Sequence, residues 1–152
     1  MWLILLDASG SMGNPFEGGA SFSGRQRTTL AQIKIDAARE ALILHLRGLG
    51  EATQAAIFAF RSSAELIYDG STADVARIEA VLDGVEATNG TDIAAALVAA
   101  RDHADAQTDH PVFRVLLISD GLSDPVAAES ASRELLSSTF RIIRQKITES
   151  MG

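Results

Sequence analysis

The sequence predicts an α/β domain, a mostly parallel sheet with helices on both faces. Three observations carry this. Two apolar runs, Trp2 to Leu6 and Val112 to Ile118, the latter broken only by Arg114, have the length and composition of strands buried on both faces. Segments of helical periodicity fall between and after them. Each run ends at an aspartate, Asp7 and Asp120, as expected where strands deliver functional groups to one edge of a sheet.

The elements follow in order. After the first strand, Met12 to Thr28 holds Gly13, Gly18, Gly19, Gly24 and Pro15 and reads as a long loop. Thr29 and Gln32 have capping-box spacing. Leu30, Ile33, Ala37, Ala41 and Leu44 recur at helical intervals, so a first helix runs to about Arg47 and stops at Gly48 and Gly50. Ala55 to Phe60 and Ala64 to Tyr68, separated by Arg61, Ser62 and Ser63, predict a hairpin whose second strand lies at the sheet edge. Ser71 or Thr72 caps a second helix, with Val75, Ile78 and Leu82 inward and Gly84 at its end. A turn from Ala87 to Gly90 leads to a third helix that opens at Thr91 and Asp92, with Ile93, Leu97, Ala100 and Ala104 as its apolar stripe. The Val112 to Ile118 strand, expected with the first at the sheet centre, ends at Ser119, Asp120 and Gly121. Asp124 and Pro125 then start a fourth helix. Leu136, Phe140, Ile143, Ile147 and Met151 keep helical spacing, so a last helix is expected over 137–152.

Composition bounds what such a domain does. At 152 residues and 47% hydrophobic content the chain reads as one domain, 1–152, with a sizeable core. A formal net charge of −7 argues against nucleic acid as partner, because phosphate recognition needs a basic face. With no cysteine there are no disulfides or thiolate metal sites. No stretch approaches the roughly 20 apolar residues of a membrane span. The opening apolar run has no basic residues before it and stops at Asp7, unlike a signal peptide, so the chain as written is expected in the cytoplasm.

Asp7, Ser9 and Ser11 form the pattern D-x-S-x-S at the end of the first strand. Alternate side chains of an extended chain share a face, with Ser9 and Ser11 about 7 Å apart at Cα if the chain stays straight. A curl beyond the strand brings both hydroxyls onto one ion. Such hard oxygen donors suit Mg²⁺, which keeps several of its waters; a strand followed by an ordinary turn is the other reading of the same residues. Thr91 is read either as a ligand or as the N-cap of the third helix, and Asp120 with Gly121 either as a ligand or as a strand-ending turn. His45, His103 and His110 lack metal-ligand spacing and read as surface residues. Arg25 and Arg27 read as part of a solvated loop, or as contacts for an acidic partner group. Asn89, Gly90 and Thr91 match a glycosylation sequon, set aside in favour of a metal role for Thr91.

Taken together, Asp7, Ser9 and Ser11 with Thr91 in Gly90-Thr91-Asp92 and Asp120 in Ile118-Ser119-Asp120-Gly121 resemble the von Willebrand factor type A domain over roughly the first 135 residues. The resemblance implies a Rossmann-like fold and a metal-ion-dependent adhesion site. It makes Ser9 and Ser11 direct hydroxyl ligands, Thr91 a ligand whose engagement varies with the bound state, and Asp7 and Asp120 ligands acting largely through water. The implied cofactor is Mg²⁺, with Mn²⁺ or Ca²⁺ as substitutes, and the implied partner is a protein that donates Asp or Glu to the ion. The implied function is therefore noncatalytic, metal-dependent protein binding.

The chain departs from the family after the fourth helix, where further strands would follow. Residues 137–152 instead carry a net charge of +2, from Arg141, Arg144 and Lys146 against Glu149. Without another strand, Val112 to Ile118 becomes a sheet edge, and self-association through that edge or the C-terminal helix is expected. The sequence leaves two alternatives. One is a Mg²⁺-dependent phosphohydrolase resembling the haloacid dehalogenases, which also begin with an aspartate after the first strand. That family places a second Asp where this chain has Ser9, and a Lys before its last acidic pair, whereas no Lys lies between Lys34 and Lys146. The other is a scaffold that never loads metal.

Overall fold

The computed structural model describes residues 1–15, 33–88, 90–107, 109, 112–120, 126–127 and 129–135. Within them, strands β1 (Trp2–Asp7), β2 (Gln54–Phe60), β3 (Ala64–Ser71) and β4 (Arg114–Ile118) lie in the order β3-β2-β1-β4. β1 runs parallel to both neighbours, with Ile4 opposite Ile57 on one side and Leu116 on the other. β3 closes back antiparallel on β2 and forms one edge, as the hairpin reading expects.

The unbroken apolar run of β1 follows from cover on both faces: Leu3, Ile4, Leu5 and Leu6 are all fully buried. Ile4 and Leu6 pack with Ile35, Leu42 and Leu46 of α1 (Lys34–Arg47) and with Ile78 and Leu82 of α2 (Val75–Asp83). Leu3 and Leu5 point the other way, onto Ile93, Leu97 and Ala100 of α3 (Ile93–Ala106) and onto Ala131 and Leu135, in a helical stretch over 129–135. Each such side chain contributes about 1.5–3 kcal/mol by burial, so β1 is anchored from two sides. That rigidity matters because Asp7 is its last residue. Among the described residues no helix is long and apolar enough to cross a membrane.

Several expectations are corrected. α1 begins at Lys34, later than its periodicity predicts, because Ile33 is extended, bridges to Pro15, and is followed by a Lys34 N–H bond to the Asn14 carbonyl of 3.0 Å. The cap of α2 is Asp74, which accepts from the Arg77 N–H. Ser71 is instead the last residue of β3, and the Thr72 hydroxyl accepts from the Thr53 N–H at 3.0 Å. Among the described residues β4 lies at the second edge of the sheet, with Val115 and Leu117 exposed, as expected without a further strand and not at the centre where its apolar run alone would put it. His45 and His103 are packed rings: His45 meets Trp2 edge-on at 5.0 Å, and His103 meets Phe58 at 5.7 Å with its Nε2 3.7 Å from Asp69. The glycine-rich loop with Arg25 and Arg27, the Thr29 and Gln32 cap, Asn89, His110, Gly121, the Asp124 and Pro125 start and the 137–152 helix lie outside the described residues.

Candidate metal centre

The turn after β1 is built by Asp7 itself. Its Oδ1 accepts the Ser9 N–H at 2.8 Å, bending the chain out of the strand, and the Met12 N–H bond to the Ser9 carbonyl at 3.0 Å closes a 3-10 turn over Gly10–Gly13. Met12 anchors this turn in the core. The curl brings Ser9 Oγ and Ser11 Oγ to 3.1 Å. Asp7 and Ser9 are almost wholly buried, so their polar atoms need partners of fixed geometry.

The second side of the site comes from β4. Ser119 follows that strand directly, and its hydroxyl donates to Asp7 Oδ2 at 2.6 Å, so both carboxylate oxygens of Asp7 accept protein hydrogen bonds. Asp120 is next in sequence and mostly buried. Its Oδ2 meets Lys34 Nζ at 3.2 Å, and Lys34 is the first residue of α1. Met12, Lys34, Ala37, Ala38, Ala41, Ile118, Ser119 and Asp120 line a cavity of about 420 Å³ beside this pair.

Thr91 is held at the same end of the sheet by a different route. The Thr88 N–H donates to the Ala8 carbonyl at 2.9 Å, Ser9 and Thr88 form a parallel bridge, and the Asp92 N–H reaches the Arg61 carbonyl at 2.6 Å. Gly90, at φ +95°, lets the loop pass so close to Ser62 that a Cβ there would stand 3.0 Å from the Ser62 nitrogen. The cap of α3 is Asp92, whose carboxylate accepts the Ala95 N–H at 2.9 Å, so Thr91 is not the N-cap that its sequence allows. Among the described residues no hydrogen bond joins Thr91 to the other candidate ligands. The structure thus links Asp7, Ser9 and Ser11 directly and sets Asp120 beside them through Ser119. Thr91 comes to that edge on a tethered loop.

The donor set can be tested against an ion by its chemistry and spacing. Among the described residues no three His, Cys, Asp or Glu side chains gather as a metal cluster. The candidate site offers two carboxylates and hydroxyls, oxygen donors suited to a hard cation that retains water. Neighbouring ligands on an octahedron with metal–oxygen bonds of about 2.1 Å stand about 3 Å apart. The Ser9 and Ser11 hydroxyls, 3.1 Å apart and also within hydrogen-bond range, have that spacing. The residues fit such an ion.

Nothing in the sequence singles out Ser119 or Lys34. Ser119 stands inside the Ile118 to Gly121 segment, but nothing there marks its hydroxyl as a support for Asp7. Lys34 is a charge on an amphipathic helix, and only the fold brings it to Asp120.

Comparison with known proteins agrees with the fold. A family model described as the von Willebrand factor type A domain matches residues 2–122. The fold is similar to that of a minor pilin, PilB, of Streptococcus sanguinis in its D319A form, at 18% identity and TM-score 0.61, covering 80% of this chain and 29% of that one. It is similar to a von Willebrand factor type A protein of Catenulispora acidiphila, at 19% identity and TM-score 0.58, over 88% of this chain and 30% of the other. An aerotolerance-related membrane protein of Bacteroides fragilis, bearing multiple mutations to serine, aligns at 19% identity and TM-score 0.65, over 90% and 62%. The chain therefore spans between 29% and 62% of the length of these three structures. No curated protein matches it.

Proposed function

Because the chain belongs to the von Willebrand factor type A domain family, we propose that it is a noncatalytic protein-binding module in which a divalent cation, Mg²⁺ or Mn²⁺, captures an acidic side chain of a partner protein. The observation that carries this reading is the Ser9 and Ser11 hydroxyl pair at 3.1 Å beside an Asp7 whose two oxygens are already held by Ser9 and Ser119. Ser9 and Ser11 would bind the ion directly, with Thr91 on the opposite loop. Asp7 and Asp120 would reach it through water. An ion held mainly by neutral oxygens is poorly neutralised, and a carboxylate from another protein supplies what the site lacks.

The same arrangement speaks against Asp7 as a phosphoryl-accepting nucleophile. Such an aspartate must present one oxygen to phosphorus, whereas Asp7 is fully buried with each oxygen accepting a protein hydrogen bond. Calorimetric titration of Mn²⁺ into the wild type and the Ser9→Ala/Ser11→Ala double variant tests the reading. Saturable heat in the wild type and its loss in a folded variant are expected; equal heats would refute the assignment.

A further inference from the structure

We propose that Lys34 is a built-in counter-ion of Asp120 that competes with the divalent cation and sets how tightly the site holds it. The inference rests on the metal-site reading above but assigns a residue outside its ligand set.

Lys34 Nζ lies 3.2 Å from Asp120 Oδ2, and both side chains are largely withdrawn from solvent. Its position on the helix is unusual electrostatically. A first-turn lysine faces the positive end of the helix dipole, where an anion is favoured and an ammonium is not. The N-cap, Ile33, offers no side-chain bond to offset this, and Asp36 in the same turn is engaged by Arg39 at 3.0 Å. Lys34 thus gains nothing from its helix and draws its compensation from Asp120. Asp120 is also the carboxylate that a divalent ion at the Ser9 and Ser11 hydroxyls would draw on, so cation and ammonium share one anion.

Two consequences follow. Binding of the ion weakens the Lys34 pair, and the flexible stem lets the ammonium withdraw along the cavity lined by Ala37, Ala38 and Ala41. The ammonium also repels the arriving ion. The scale of such a repulsion follows from Coulomb's law: a single and a double positive charge about 6 Å apart in water repel by an amount worth about tenfold in affinity. A domain with this device holds its ion loosely by itself and retains it best when a partner's carboxylate adds negative charge.

Titration of Mn²⁺ into the full chain by calorimetry, with wild type, Lys34→Met, Lys34→Gln and Lys34→Arg compared, tests this, and circular dichroism checks that each variant is folded. Lys34→Met and Lys34→Gln are expected to bind about tenfold tighter than wild type, and Lys34→Arg within about threefold of it. Wild-type affinity or weaker in both neutral variants overturns the counter-ion role while leaving the metal site standing. Absence of saturable heat in every protein at millimolar Mn²⁺ overturns both.

Discussion

The hydroxyl of Ser119 donates to Asp7 Oδ2 at 2.6 Å, joining the ends of β1 and β4 across 112 positions of sequence. With the Ser9 N–H on Oδ1, this bond fixes the plane of a fully buried carboxylate. Hydrogen bonds to charged groups contribute about 1.5–3 kcal/mol, and removing one partner of a buried anion loses at least that. Ser119→Ala is therefore expected to destabilise the domain by about 2 kcal/mol, read as a lower urea midpoint at unchanged slope. Weakened Mn²⁺ binding should accompany it, since the turn carrying Ser9 and Ser11 is built on the same carboxylate.

Thr91 and Asp92 are adjacent but act on different properties. Asp92 caps α3 through the Ala95 N–H. Asp92→Ala should lower stability by about 1 kcal/mol. Thr91→Ala removes a hydroxyl that does not cap the helix, so its stability should stay within about 0.5 kcal/mol of wild type while Mn²⁺ affinity falls. If denaturation shows Thr91→Ala to be the more destabilising of the two, the division of labour is wrong.

Gly90 and Gly50 separate backbone strain from crowding. Both have positive φ, at +95° and +73°, but a Cβ on Gly90 would stand 3.0 Å from Ser62, whereas one on Gly50 meets nothing within 4 Å. Gly50→Ala is expected to cost about 1 kcal/mol from conformation alone. Gly90→Ala should cost about 2–3 kcal/mol and should also weaken Mn²⁺ binding, since the loop that holds Thr91 must shift. Thermal denaturation with and without Mn²⁺ distinguishes the two variants.

Much of the sheet was legible because burial leaves a plain trace in sequence. Leu3 to Leu6 are apolar without a break since both faces are covered, and Asp7 falls where that cover ends. The candidate residues Asp7, Ser9, Ser11 and Asp120 were legible for the same reason: each lies at or just beyond the end of a strand, on one edge of the sheet. Helix starts were less so. Ser71, Thr72 and Asp74 are all good caps by type, and the choice is made by β3 running on through Ser71 and by the Thr72 hydroxyl bonding Thr53. The roles of Ser119 and Lys34 depend on contacts 112 and 86 positions apart, which no local pattern encodes. The same holds for His45 and His103, whose rings are covered by Trp2 and Phe58 of neighbouring strands.

Tyr68 gives the fold an alkaline signature. Its hydroxyl donates to the Ser71 carbonyl at 2.7 Å from a buried ring on β3, and burial, reinforced by Asp74, raises its pKa above the ordinary 10.0. Arg77, whose guanidinium lies 5.7 Å from the ring centre, opposes this only in part. Above pH 10 the unfolded chain loses the phenolic proton more readily than the folded one, so stability falls as pH rises through that range. The contribution is fully present below the unfolded value and is lost as pH passes the folded one. Tyr68→Phe cannot ionise. It should be less stable than wild type by about 1 kcal/mol at pH 8, where only the hydrogen bond is missing. That gap should narrow as pH rises above 10 and wild type loses its advantage. Urea denaturation of both proteins at intervals from pH 8 to about pH 11 measures the gap directly, and a gap constant across the range would show that Tyr68 ionises alike in the folded and unfolded chains.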